Sequence, residues 1–73
     1  MNINIELMEH LRKKMGISMS KVAEMIGYKS EAAYQHKIKG RRKFTIEDLY
    51  KISLILKVDL NKLLQFENKK GAN

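Results

Sequence analysis

The chain has no cysteine, no proline and no tryptophan, and aromatic residues make up only 7% of its 73 positions. Without cysteine there is neither a disulfide framework nor a thiolate metal site. The two histidines, His10 and His36, lack a third ligand at useful spacing, so no metal and no other cofactor is expected. The longest apolar run, LIL within ISLILKV, falls far short of the roughly 20 residues that span a bilayer. The N-terminus, MNINIELMEH, has neither the cationic start nor the unbroken apolar run of a secretory signal. A cytoplasmic location away from membranes is therefore expected. Catalytic signatures are also missing: there is no activated nucleophile, paired-carboxylate site or phosphate-cradling glycine loop. Glu47 and Asp48 are adjacent, but neighbouring positions on a helix diverge by about 100°. The chain is not expected to be an enzyme.

What remains is a single small domain with an uneven charge. Chains of this size bury roughly 60% of their unfolded surface, which leaves room for one core. The formal net charge is +7, and positions 28–43 hold six cations, Lys29, Lys37, Lys39, Arg41, Arg42 and Lys43, against one acid, Glu31. Five of those cations fall in KIKGRRKF, which is bracketed by the apolar residues Ile38 and Phe44. A solvated charge run needs no such brackets, so the pattern describes a loop pinned at both ends and implies a polyanionic partner.

Caps and glycines divide the chain. Asn4 can cap a first helix running to about Met15, with Leu7, Met8, Leu11 and Met15 on one face. Ser18 caps a second helix, Met19 to Ile26, with Val22, Ala23 and Ile26 inward and Gly27 closing it. Ser30 caps a third helix over 31–39, which ends at Gly40. Thr45 and Asp48 have the spacing of a capping pair, and Phe44 can staple Leu49, so a fourth helix begins there. It runs to about Leu56 with Leu49, Ile52, Ser53 and Leu56 inward. Asp59 caps a last helix, with Val58 stapling Leu63. This arrangement is all-α, five short helices with no strand. The domain is expected to occupy 1–66, with 67–73 a flexible polar tail.

Two short helices joined by a tight turn, the second followed by a glycine and a basic loop, have the organisation of a helix-turn-helix. GISMSKVAEMIGYKS resembles that motif in the phage repressor and Cro family, with a small residue at Ala23, glycine at Gly27, and glycine plus basic residues at Gly40 to Lys43. FTIEDLYKISLILKVDLNKLL is similar to the family's fourth and fifth helices, and the resemblance covers about residues 7–64. Met19 departs from the pattern, standing where many members carry a phosphate-bonding glutamine. Ile38 takes a place often held by glutamate. The resemblance implies a compact five-helix, lambda-repressor-like domain acting as a sequence-specific transcriptional regulator on double-stranded DNA, of the phage or mobile-element repressor kind. The alternative on the same fold is a small phage-encoded protein-binding inhibitor or antitoxin.

Helical periodicity assigns the faces of the third helix. Ala33, Tyr34, Lys37 and Ile38 share one side, with Tyr34 and Ile38 as core anchors. The other side and its first turn supply the candidate base readers Ser30, Glu31, Ala32, Gln35, His36 and Lys39. Gln35 can bond adenine bidentately, Glu31 can accept from a cytosine amino group, and Ala32 can touch a thymine methyl. Ser18, Ser20, Lys21, Lys29, Arg41, Arg42 and Lys43 are the candidate phosphate contacts, the first three at a helix N-terminus. Tyr50, Leu54, Leu60, Leu64 and Phe66 are the candidate contacts of a homodimer, which would place two third helices one DNA turn apart, about 34 Å, on a palindromic operator.

Overall fold

The computed structural model describes residues 2–65. Five helices follow in chain order: α1 (Ile5–Lys14), α2 (Met19–Ile26), α3 (Glu31–Ile38), α4 (Ile46–Leu56) and α5 (Leu60–Leu63). The domain is all-α, as expected, apart from one small addition. Two-residue strands β1 (Asn2–Ile3) and β2 (Leu64–Gln65) pair antiparallel, Asn2 opposite Gln65 and Ile3 opposite Leu64. The Asn4 N–H, which donates to the Leu63 carbonyl at 2.8 Å, continues this join into the start of α1. Segments this short carry no alternation for a periodicity argument to detect. Phe66 and the tail 67–73 lie outside the described residues.

Four of the five helix starts are fixed by a side chain that accepts an otherwise unpaired backbone N–H. Asn4 accepts from Leu7 at 3.0 Å, Ser18 from Lys21 at 3.0 Å and Ser30 from Ala33 at 3.3 Å. At α4 the box is reciprocal: Thr45 Oγ1 accepts from the Asp48 N–H, and Asp48 Oδ2 accepts from the Thr45 N–H, both at 3.0 Å. Asp59 departs from expectation, since it makes no side-chain cap and α5 is a single turn. α2 ends at Gly27 with φ 104°, a left-handed conformation that costs glycine little. α4 ends on Lys57 in the same region at φ 57°. A side chain there carries about 1–2 kcal/mol of steric cost.

The core is built from Met8 of α1, Val22, Ala23 and Ile26 of α2, Tyr34 of α3, Phe44, Leu49, Ile52 and Leu56 at and within α4, and Leu63 of α5. The inward face expected of α4, including Ser53, is buried throughout. α1 differs: Met15 is 42% exposed, because it lies past the last helical residue, whereas Arg12 is only 6% exposed. Arg12 can be buried because each of its three nitrogens finds an acceptor. Its Nε and NH2 groups bond both Glu9 oxygens at 3.0 and 2.8 Å, and its NH1 group reaches the Ile17 carbonyl at 2.5 Å.

Glu9 in turn accepts from the Tyr34 hydroxyl at 2.8 Å, across 25 residues of chain. Burial pushes the Glu9 carboxyl upward, but the bonds from Arg12 and Tyr34 outweigh it and hold the group below its ordinary value. The same burial, reinforced by the Glu9 carboxylate, raises the Tyr34 hydroxyl. A carboxylate lowered in the folded state stabilises fully above its unfolded value and loses that contribution as pH falls.

Urea unfolding should therefore give a stability that is flat from neutrality to about pH 5 and declines below the ordinary glutamate value of 4.5. Glu9→Gln should lessen that decline and leave the part that comes from Asp48, whose carboxyl is also held below its ordinary value. At neutral pH, Tyr34→Phe removes only the bond to Glu9 and should cost about 1–2 kcal/mol.

Candidate nucleic-acid interface

α2, the turn at 27–30 and α3 form one unit. Gly27 lets the chain reverse, the Tyr28 N–H closes onto the Ala23 carbonyl at 2.9 Å, and α3 then starts at Ser30. Tyr34 plugs α3 into the core, where its ring meets Phe44 edge-on at 6.1 Å between centroids. The inner face follows the expected register, with Tyr34 buried and Ala33, Lys37 and Ile38 half-buried.

Lys37 belongs to the basic run in sequence but not at the surface. Its Nζ meets Asp48 Oδ2 at 2.7 Å with both side chains largely covered, and it lies over the Tyr28 ring at 4.7 Å and the Phe44 ring at 5.9 Å. The charge is consumed in joining α3 to the start of α4. Burial raises the Asp48 carboxyl, but hydrogen bonds from Lys37 and the Thr45 N–H bring it below its ordinary value. The Tyr28 hydroxyl is buried there without a hydrogen-bond partner among the described residues, and burial together with the Asp48 carboxylate pushes its pKa up.

The opposite face of α3 is open. Ser30, Glu31, Ala32, His36 and Lys39 line it and are all exposed, and Gln35 is half-buried. The Gln35 side-chain amide donates to Glu31 Oε2 at 3.0 Å and to Met19 Sδ at 3.7 Å. Met19 therefore links α2 to α3, an arrangement absent from its sequence context. Ser18, Ser20 and Lys21 lie at the start of α2, and Lys29 lies exposed in the turn. Beyond α3, Gly40 at φ 83° folds the loop back, so that the Arg41 and Arg42 N–H groups both donate to the His36 carbonyl, at 2.8 and 3.3 Å. Arg41, Arg42 and Lys43 are exposed and make no ion pair among the described residues.

Two shallow depressions bring these groups together. One of about 460 Å³ is bordered by Lys29, Ser30, Ala32, His36 and Arg42, joining the turn, the open face of α3 and the loop. The other, about 200 Å³, is bordered by Ser20, Lys29, Ser30 and Glu31, where α2 faces the start of α3. The candidate dimer residues are more dispersed. Tyr50 and Leu54 are 54% and 61% exposed, whereas Leu60 and Leu64 are half-buried against the core. Ile46, missed in the sequence, is 52% exposed and completes a four-residue repeat with Tyr50 and Leu54 along α4. That spacing was the signal available for it.

No helix among the described residues is long and apolar enough to cross a membrane. No curated protein and no solved structure matches the chain. The helix-turn-helix family model matches residues 8–63, spanning α2, the turn, α3, the basic loop and α4. The chain therefore belongs to the Cro/C1-type helix-turn-helix family of DNA-binding transcriptional regulators.

Proposed function

We propose that this protein is a sequence-specific regulator of the phage or mobile-element repressor kind. In this reading, α3 enters the major groove of an operator while residues on either side hold the sugar-phosphate backbone. One observation carries it: the open face of α3 is flanked on one side by Ser18 and Ser20, which open α2, and on the other by the exposed cations Arg41, Arg42 and Lys43, which make no ion pair among the described residues. Lys21 also lies there, tied only loosely to Glu24 at 3.5 Å on an exposed surface. The first backbone N–H groups of α2 and its positive dipole end favour an anion at the same place.

The work divides by chemistry. Ser30, Glu31, Ala32, Gln35, His36 and Lys39 offer groups to base edges, whereas Arg41, Arg42, Lys43, Lys29 and the start of α2 supply attraction that any duplex satisfies. A two-fold dimer on a palindromic site is supported by the stripe Ile46, Tyr50 and Leu54, which is apolar, exposed and repeats every four residues along α4. Exposed stripes of this kind mark interaction surfaces more often than isolated apolar residues do.

If the dimer neutralises on the order of six to ten phosphates, the slope of log affinity against log salt should be about −5 to −9. Arg41→Ala or Arg42→Ala should weaken cognate and random duplexes alike and make that slope shallower by about one unit for each phosphate no longer neutralised. A slope near zero would move the function to the protein-binding alternative. For assembly, sedimentation of the free protein and of its DNA complex should show a dimer at least on DNA. Leu54→Lys should shift it to monomer while leaving the helical circular dichroism of the folded chain unchanged, because Leu54 is 61% exposed in the single chain. One protein per bound site in the unmodified chain would remove the dimer.

A further inference from the structure

Glu31 and Gln35 lie one helical turn apart on the open face of α3, and the bond between them decides what Gln35 can offer a base. A glutamine amide carries two N–H donors and one carbonyl acceptor. Here the amide nitrogen already donates to Glu31 Oε2 at 3.0 Å and to Met19 Sδ at 3.7 Å. Turning the amide over would set its carbonyl oxygen against the Glu31 carboxylate and exchange a hydrogen bond for a repulsion. The orientation is therefore fixed by charge, and with the amide nitrogen engaged twice the carbonyl oxygen is the group Gln35 has left to offer. Glu31, as a carboxylate, adds only acceptors.

We infer that the Glu31–Gln35 pair reads exocyclic amino groups, so that one position of each half-site accepts adenine or cytosine on the same strand and rejects guanine and thymine there. This rests on the proposed DNA-reading function of α3 and goes beyond it by naming the base chemistry. In the major groove, adenine N6 and cytosine N4 are donors, whereas guanine O6 and thymine O4 are acceptors. A glutamine with a free amide selects adenine alone, because it donates to N7 while accepting from N6. With the donor committed to Glu31, the N7 bond is lost and adenine keeps no advantage over cytosine. An acceptor facing guanine O6 or thymine O4 leaves both oxygens unpaired in a desolvated groove.

The experiment is selection of bound duplexes from a random pool with the full chain, followed by affinity measurements on single-base variants of the selected site. The same selection with Gln35→Ala locates the position concerned, where preference should collapse. At that position the unmodified protein should bind A·T and C·G, in one strand orientation, within about threefold of each other, and G·C and T·A about tenfold more weakly. Glu31→Ala frees the amide and should narrow the position to A·T, with C·G falling about tenfold behind. Both residues lie on the outer side of α3, and a circular dichroism melt of each variant separates lost folding from lost recognition. The assignment is overturned by an unmodified protein that demands a single base pair at this position, by one that groups the two purines, or by an unchanged preference in Glu31→Ala. Failure to select any site overturns the DNA-reading function and the assignment with it. A defined site with the wrong base grouping overturns the assignment alone.

Discussion

The carboxylate of Glu9 is the point on which the arrangement of helices depends. It sits in the middle of α1, takes two bonds from Arg12 of the same helix and one from the Tyr34 hydroxyl of α3. A largely covered carboxylate with one partner missing is costly, so the three groups hold each other in a single geometry. Arg12 also reaches the Ile17 carbonyl just before α2, so α1, the entrance to α2 and the middle of α3 share one polar knot. Tyr34 is the member that ties α3 to this knot, since it is both the aromatic plug of α3 and a hydrogen-bonding post.

α3 is fixed a second time from the other end. Lys37, one turn along from Tyr34, bonds Asp48, and Asp48 also accepts from the Thr45 N–H that opens α4. With two polar anchors and one apolar one on its inner side, an eight-residue helix that has little intrinsic stability keeps one orientation. Its outer side is thereby left largely exposed, with Gln35 reaching back to Met19 of α2. The neighbouring charges divide in the same way: Arg12 and Lys37 are consumed inside the fold, whereas Arg41, Arg42 and Lys43 stand outside it with no ion pair among the described residues.

Much of this was legible in the sequence because its causes are local. Ser18 and Gly27 delimit α2 at the residues expected, and Thr45 with Asp48 opens α4 as a reciprocal box. The inner face of α3 followed from helical spacing alone. The misses have causes that are distant or of low contrast. Arg12 carries no sign of burial until Tyr34 brings a hydroxyl to Glu9 from 25 positions away. Lys37 counted with the basic loop, because its partner Asp48 already had a capping role. Asp59 has the right residue type for a cap but does not bond, and Lys57 adopts a left-handed turn where glycine is the usual marker. The open face of α3 could be located in advance, but the bond that commits the Gln35 amide to Glu31 could not.

The central claim is that anchoring the inner side of α3 presents its outer side, with the cations around it, to DNA. Amide resonance mapping of the isotopically labelled protein during titration with duplex DNA tests it directly. The account predicts shifts concentrated at residues 18–21, 29–36 and 39–43, with α1 and α5 nearly unchanged. Shifts centred on α1 or α5, with residues 29–36 unmoved, would contradict it.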